Sequence, residues 1–244
     1  MIISVCNQKG GVSKTTTTCN LASGLVAKGY KVLCLDLDQQ CNLTYCLGAD
    51  ETKPSILDLI VKRLDITETL QKCNNIFVIK GDSKLNIITS MNQEINLKTL
   101  LEPVIRKYDY ILIDTPPSLN ILTMKSLMVS DKVIIPCNAD GFSLQGIQDL
   151  YSNIIEIQKS SNKKLKIDGI LLTSFNERTI LSKEIAELMK QLAKKIGTRL
   201  YKTRIRESIA VKESIIKQIP IIDYKPDNNV AKDYKAFVKE FIGK

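Results

Sequence analysis

The sequence predicts an α/β protein with a mostly parallel, twisted sheet and helices on both faces. Three observations carry that reading. Short apolar and β-branched runs alternate with longer stretches of helical periodicity along the 244 residues. Two of the apolar runs, "YKVLCLD" and "YDYILID", end on aspartates, Asp36 and Asp114, at the strand ends where such sheets bind ligands. A glycine-bearing loop, "NQKGGVSKTTTT", separates the first apolar run from the first helical one.

The elements follow in order. "MIISVC" reads as a buried strand, and "TTTTCNLASGLVAKG" as a helix with Leu21, Leu25 and Val26 on one face and Gly29 as its stop. "YKVLCLD" is the next strand. Residues 55–107 are less regular, with short helices around "SILDLIV" and "INLKTLLEPVIRK" and a strand near "LNIIT". Strand "YDYILID" leads to helix "LNILTMKSLMV" and strand "DKVIIPC". Helix "SLQGIQDLYSNIIEIQ" precedes strand "KIDGILLTSF", and "LSKEIAELMKQLAKKIG" is an amphipathic helix. No repeat and no linker rich in Pro, Gly or Ser interrupts this alternation. With 44% hydrophobic residues the chain can bury a full core, so residues 1–244 are expected to form one domain.

The glycine loop has the chemistry of a phosphate cradle. A helix start offers unpaired N–H groups and the positive end of its dipole to an anion. Gly10 and Gly11 let backbone approach phosphate oxygens, Lys14 is placed to reach the β- and γ-phosphates, and Thr15 supplies a hydroxyl for Mg²⁺. The candidate nucleotide contacts are Lys9, Gly10, Gly11, Val12, Ser13, Lys14, Thr15 and Thr16. The strict pattern G-x-x-x-x-G-K-[ST] is not met, because Gln8 and Ser13 stand where it has glycine. A tight glycine turn with solvated lysines is the alternative.

"KGGVSKTT" resembles the deviant Walker A motif of the ParA/MinD superfamily of P-loop ATPases. The likeness continues through "VLCLDLDQQCNLT", "YDYILIDTPPS" and "IIDYKPDNNVAKDYKAFVKEF", covering nearly the whole chain. The resemblance implies a P-loop NTPase fold and ATP and Mg²⁺ as ligands. It implies that Lys9 crosses a dimer interface to the partner's nucleotide while Lys14 serves its own, which accounts for two lysines in one loop. Asp38 falls at the family's water-orienting position, Asp36 is expected to organise the Mg²⁺ shell, and Asp114 to support the metal. "TPPS" resembles the second switch. "YKTRIRESIAVKES" resembles the segment that closes over the adenine, with Arg206 and Ser208 where many relatives have proline and asparagine. Gln39 and Cys41 also depart from the family pattern, replacing proline and glycine.

The net charge is +9. Between Lys159 and Lys217 stand 15 Lys+Arg against 6 Asp+Glu, and the remaining residues hold 20 of each sign. Charge gathered in one segment is the footprint of a polyanion partner, with solvated helix faces as the alternative. Arg199, Arg204, Arg206 and Lys217 are the candidate DNA contacts. No stretch has the length and apolarity of a transmembrane helix, and the N-terminus reads as a core strand rather than a signal peptide. A cytoplasmic, nucleoid-associated protein is expected. Seven cysteines include no C-x-x-C pair. Cys6, Cys34 and Cys137 fall in apolar runs, Cys41 and Cys46 lie nearer the site, and disulfides are not expected.

The resemblance points first to a DNA-partitioning ATPase of the Soj/ParA type, expected as an ATP-dependent homodimer on non-specific double-stranded DNA, with a ParB-type centromere-binding protein stimulating hydrolysis. The motif's closeness to residue 1 leaves no room for a preceding helix-turn-helix domain, so operator-specific binding is not expected. A MinD-like membrane-cycling ATPase would need an amphipathic C-terminal membrane helix. "NNVAKDYKAFVKEFIGK" does carry such a stripe, Ala231, Tyr234, Phe237, Val238, Phe241 and Ile242, but packing on the sheet explains it as well. A nucleotide-switched, non-hydrolysing scaffold is the third reading. The cysteines match no interface pair of a cluster-bearing reductase.

Overall fold

The computed structural model describes residues 1–90 and 95–243. The chain opens with β1 (Ile2–Val5), α1 (Lys14–Val26) and β2 (Val32–Asp36), followed by α2 (Asn42–Leu47), α3 (Ile56–Lys62) and α4 (Ile66–Thr69). A hairpin of β3 (Leu70–Cys73) and β4 (Ile76–Ile79) precedes short helices α5 (Ile87–Ser90) and α6 (Leu97–Leu101). Next come β5 (Tyr110–Asp114), α7 (Ile121–Val129), β6 (Lys132–Asn138), α8 (Gly141–Ser160), β7 (Lys166–Thr173) and α9 (Ile180–Lys195). The described chain closes with α10 (Ile209–Ile216), α11 (Ile221–Tyr224) and α12 (Asn229–Ile242).

The seven strands lie in the order β3-β4-β2-β5-β1-β6-β7. Every neighbouring pair is parallel except β3 with β4. Period-2 alternation sends successive side chains to opposite faces. Val32 and Cys34 of β2 join Leu112 of β5 in the cluster under α1 and α12, whereas Leu33 and Leu35 join Ile111 and Ile113 on the other face. Val133, Ile135 and Cys137 of β6 face α8 and α9. Both faces are therefore covered, as near-continuous apolar strands require. Helix starts follow from side-chain caps: Asn120, Asp140, Thr179 and Asn228 accept backbone N–H groups at the heads of α7, α8, α9 and α12.

The expected strand near "LNIIT" is absent, and the reason is local. Asp82 accepts the N–H of Lys84 on its carboxylate and that of Leu85 on its carbonyl, turning the chain. Leu85 and Ile88 then reach the core at helical spacing. The edge of the sheet is formed by "LQKCNNIFVI" instead, a hairpin that the sequence reading did not include. Its turn residues Asn74 and Asn75 both have positive φ, 48° and 63°, the backbone a two-residue hairpin turn demands and one that asparagine tolerates.

Of the apolar stripe of α12, Ala231, Tyr234, Phe237, Val238 and Phe241 lie in the core with Val230, and Ile242 is partly buried against it. The stripe packs on α1 across Gly24, where an added Cβ would stand 2.5 Å from Val238 Cγ2. That face is spent on the protein's own core. No helix among the described residues is long and apolar enough to cross a membrane.

Candidate nucleotide site

The loop between β1 and α1 lies at the carboxyl edge of the sheet. Asn7 anchors its start, donating Nδ2 to the Pro136 carbonyl at 2.7 Å and accepting the Lys9 N–H on Oδ1 at 3.0 Å. Val12 is buried, and its carbonyl accepts the Thr173 hydroxyl. Gly11 and Ser13 both hold left-handed backbone, φ 71° and 63°. Glycine does so without strain, and serine at a cost of about 1 kcal/mol. Ser13 is the N-cap of α1, yet its side chain accepts no hydrogen bond, so the helix start keeps N–H groups for an anion. Lys14 reaches back across the loop, Nζ to the Lys9 carbonyl at 2.9 Å. Burial lowers its pKa and the carboxylates of Asp114 and Asp38 act against that fall. The Lys9 ammonium contacts Asp140 Oδ2 at 2.5 Å and lies 6.0 Å from the centroid of the exposed Phe142 ring.

Three carboxylates converge on this edge because of strand register. Asp36 and Asp114 are direct neighbours across β2 and β5, and Val5 neighbours Asp114 across β1. Asp114 is fully buried and accepts the hydroxyls of Thr15 at 2.6 Å and Thr18 at 3.2 Å. Burial, reinforced by the Asp36 charge, pushes its pKa well up. Asp36 is fully buried too, and burial raises its pKa against three donors: the Thr44 hydroxyl, the Thr44 N–H and the Asp38 N–H. Both of its oxygens thus accept protein donors. Asp38 is buried beside the loop, accepting the Gln40 N–H at 3.1 Å. Cys41, which stands for the family's glycine, also has positive φ, 52°. Thr115 ties the start of "TPPS" to β1 through the Val5 carbonyl, leaving Pro117 exposed over Gly10.

A cavity of about 520 Å³ opens beside the loop, lined by Gly10, Gly11 and Ser13 to Thr16 on one side. Asp38, Gln40, Asn42, Tyr45, Cys46, Pro117, Lys212 and Ile215 complete its wall. Both α2 and α10 begin within the quoted family segments, "VLCLDLDQQCNLT" and "YKTRIRESIAVKES", but Tyr45, Lys212 and Ile215 were not singled out in the sequence. Arg206 and Ser208, expected near the adenine, are not among the lining residues. Arg206 is held by Asp233, 2.6 Å from Oδ1, and by the Asn229 carbonyl, while Ser208 caps α10. All seven cysteines are free, and Cys6, Cys34 and Cys137 are buried as expected.

The four DNA candidates divide. Arg199 and Arg204 line a second cavity of about 650 Å³, together with Lys190, Lys194 and Lys202. Those three lysines were not singled out in the sequence, although Lys190 and Lys194 share a helix face at i, i+4 spacing. Arg199 is ion-paired with Asp168 at 2.7 Å. Arg204 stacks on the Phe175 ring, 4.4 Å from its centroid. Arg206 and Lys217 lie outside this groove, Lys217 exposed at the end of α10.

Known proteins agree with this geometry. The AAA_31 family, described as an AAA domain, matches residues 1–167. The sporulation initiation inhibitor protein Soj of Bacillus subtilis is 35% identical, covering 98% of this chain and 97% of its own. The chromosome-partitioning ATPase Soj of Treponema pallidum is 32% identical, over 98% and 95%. Among solved structures, a cobyrinic acid a,c-diamide synthase from Mycobacterium smegmatis with bound ADP and magnesium superposes with a TM-score of 0.81. It is 25% identical and covers 99% of this chain and 93% of its own.

Proposed function

This chain belongs to the Soj/ParA family of P-loop ATPases, and we propose that it partitions DNA. It is an ATPase that uses Mg²⁺, and its residues suit both ligands. The uncapped start of α1, with Lys14 across it, suits the phosphates. Thr15 and Asp114, a hydroxyl beside a buried carboxylate that has no cationic partner at contact distance among the described residues, suit the metal. Held there, Mg²⁺ would supply neutralisation of the phosphate charge. Lys14 holds the phosphates, and Asp38 in the cavity wall orients the attacking water, so the protein's part is placement and electrostatics.

The observation that carries the partitioning role is the basic groove of Lys190, Lys194, Arg199, Lys202 and Arg204, far in sequence from the phosphate loop. Sequence-independent DNA affinity is mostly phosphate neutralisation. Two chains joined across ATP, with Lys9 released from Asp140 to reach the partner's nucleotide, would present two grooves to one duplex and gain effective concentration. Hydrolysis, stimulated by a ParB-type partner, would end that state in the nucleoid-associated pool. The test is DNA binding with ATP, ADP and no nucleotide across a salt series. Binding should require ATP and ignore sequence, and Arg204→Glu should flatten the salt slope by roughly one unit. Equal binding in all three nucleotide states would refute the reading.

A further inference from the structure

The least expected feature of the site is the occupation of Asp36. Gly81, two residues past β4, donates its N–H to Thr44 Oγ1 at 2.8 Å. An N–H only donates, so the Thr44 proton must point elsewhere, and Asp36 Oδ2 lies 2.7 Å away to receive it. Thr44 adds its own N–H to the same oxygen at 2.8 Å. The opposite oxygen, Oδ1, receives the Asp38 N–H at 3.1 Å. Thr44 and Asp36 are both buried, so water does not compete for these bonds. The path therefore runs from Gly81 through Thr44 to Asp36, whose carboxylate accepts the Thr44 hydroxyl on one oxygen and the Asp38 backbone N–H on the other. Asp38 is held on its other side by the turn it closes, where its carbonyl accepts the Cys41 N–H at 2.9 Å.

Gly81 is matched to this arrangement. A Cβ there would stand 3.0 Å from Asp36 Cγ and 3.2 Å from both Asp36 Oδ2 and the Asp38 carbonyl oxygen. The edge hairpin thus reaches the catalytic loop through one glycine amide and one threonine hydroxyl. Neither residue lines the nucleotide cavity.

We propose that Thr44 is a positioning residue for hydrolysis: with the Gly81 amide it orients Asp36, which in turn sets the backbone from which Asp38 places the attacking water. The proposal rests on the assignment of Asp38 above. Misplacement of a reacting group by about 1 Å costs roughly 100-fold in rate. Thr44→Val keeps the shape of the side chain and removes the hydroxyl. It should lower single-turnover ATP hydrolysis by about 10- to 100-fold while leaving the affinity for a fluorescent ATP analogue with Mg²⁺ within about twofold. Thr44→Ser, which keeps the hydroxyl, should restore most of the rate. Gly81→Ala, which instead crowds Asp36, should reproduce the kinetic loss and serves if Thr44→Val fails to fold.

Asp38→Ala separates the two claims. If Asp38→Ala is inactive but Thr44→Val and Gly81→Ala turn over at the parental rate, the positioning role is wrong and the Asp38 assignment stands. If Asp38→Ala itself hydrolyses ATP normally, both fall. Loss of nucleotide affinity in step with rate, unrescued by Thr44→Ser, would also overturn the proposal, because it would mark a merely structural contact.

Discussion

Asp114 and Asp168 are both aspartates of strands in the same sheet, and the molecule treats them in opposite ways. Asp114 ends β5 fully buried with, among the described residues, only the hydroxyls of Thr15 and Thr18 for donors, and burial and the Asp36 charge raise its pKa. Asp168 in β7 is partly buried, with its side chain 6% exposed. Burial opposes its charge too, but hydrogen bonds from Lys132, Tyr201 and Arg199 outweigh that and hold its pKa below the ordinary value. Asp233 and Glu240 of α12 extend the same pattern. Asp233 holds Arg206, and Glu240 accepts the N–H groups of Lys202 and Thr203. A buried carboxylate without its cation is a site waiting for one, whereas a saturated one is a fastening. The carboxyl edge of the sheet is built for a ligand, and the start of β7 is built to hold a basic loop in place.

The largest effects should fall at the ligand-built edge. Lys14→Ala should abolish ATP binding measured by calorimetry, since the charge across the phosphate loop is gone. Unchanged affinity would remove the basis of the comparison at once. Lys9→Ala should leave binding by the single chain intact and lose the ATP-dependent dimer in light scattering.

The two aspartates themselves give a contrast of sign. Asp168→Asn should destabilise the protein by about 2 kcal/mol in urea melts, less than for a fully buried pair because Lys132 and Arg199 retain solvent contact. Asp114→Asn, measured without nucleotide, should stabilise by roughly 1 kcal/mol while impairing hydrolysis. Their pH dependences oppose each other as well. A lowered folded pKa contributes stability above the ordinary carboxyl range near 4 that is lost as pH falls below it, so the Asp168→Asn penalty should shrink in acid. A raised folded pKa withdraws stability as pH rises above that range, so the Asp114→Asn gain should be present at neutral pH and vanish below about 4. Two penalties of the same sign would show that burial, not pairing, governs both positions.

The smallest effect concerns strain. Ser13→Gly removes the cost of a side chain at φ 63° and should stabilise by a few tenths to about 1 kcal/mol, the gain being reduced by glycine's entropy. A loss in denaturant midpoint would mean that the serine earns its position through contacts instead.

What the sequence determined alone is what local rules specify. Alternating apolar runs and helical periodicity identified β1, β2, β5, β6, β7 and the major helices, because burying one face is a requirement each segment meets by its own pattern. The phosphate loop was legible because Gly11, Lys14 and Thr15 act within one turn of chain. Asp36 and Asp114 were legible as a class, acidic residues at strand ends. Which carboxylate lacked a cation was not, since the register β2–β5 and the distant Lys132, Arg199 and Tyr201 decide it. The hairpin β3–β4 escaped because its strands are only four residues long and its turn uses Asn-Asn rather than a glycine. The Gly81–Thr44–Asp36 path joins residues 37 and 8 positions apart. Hydrogen bonds between such groups exist only after the sheet has closed, and no periodicity or spacing along the chain records them.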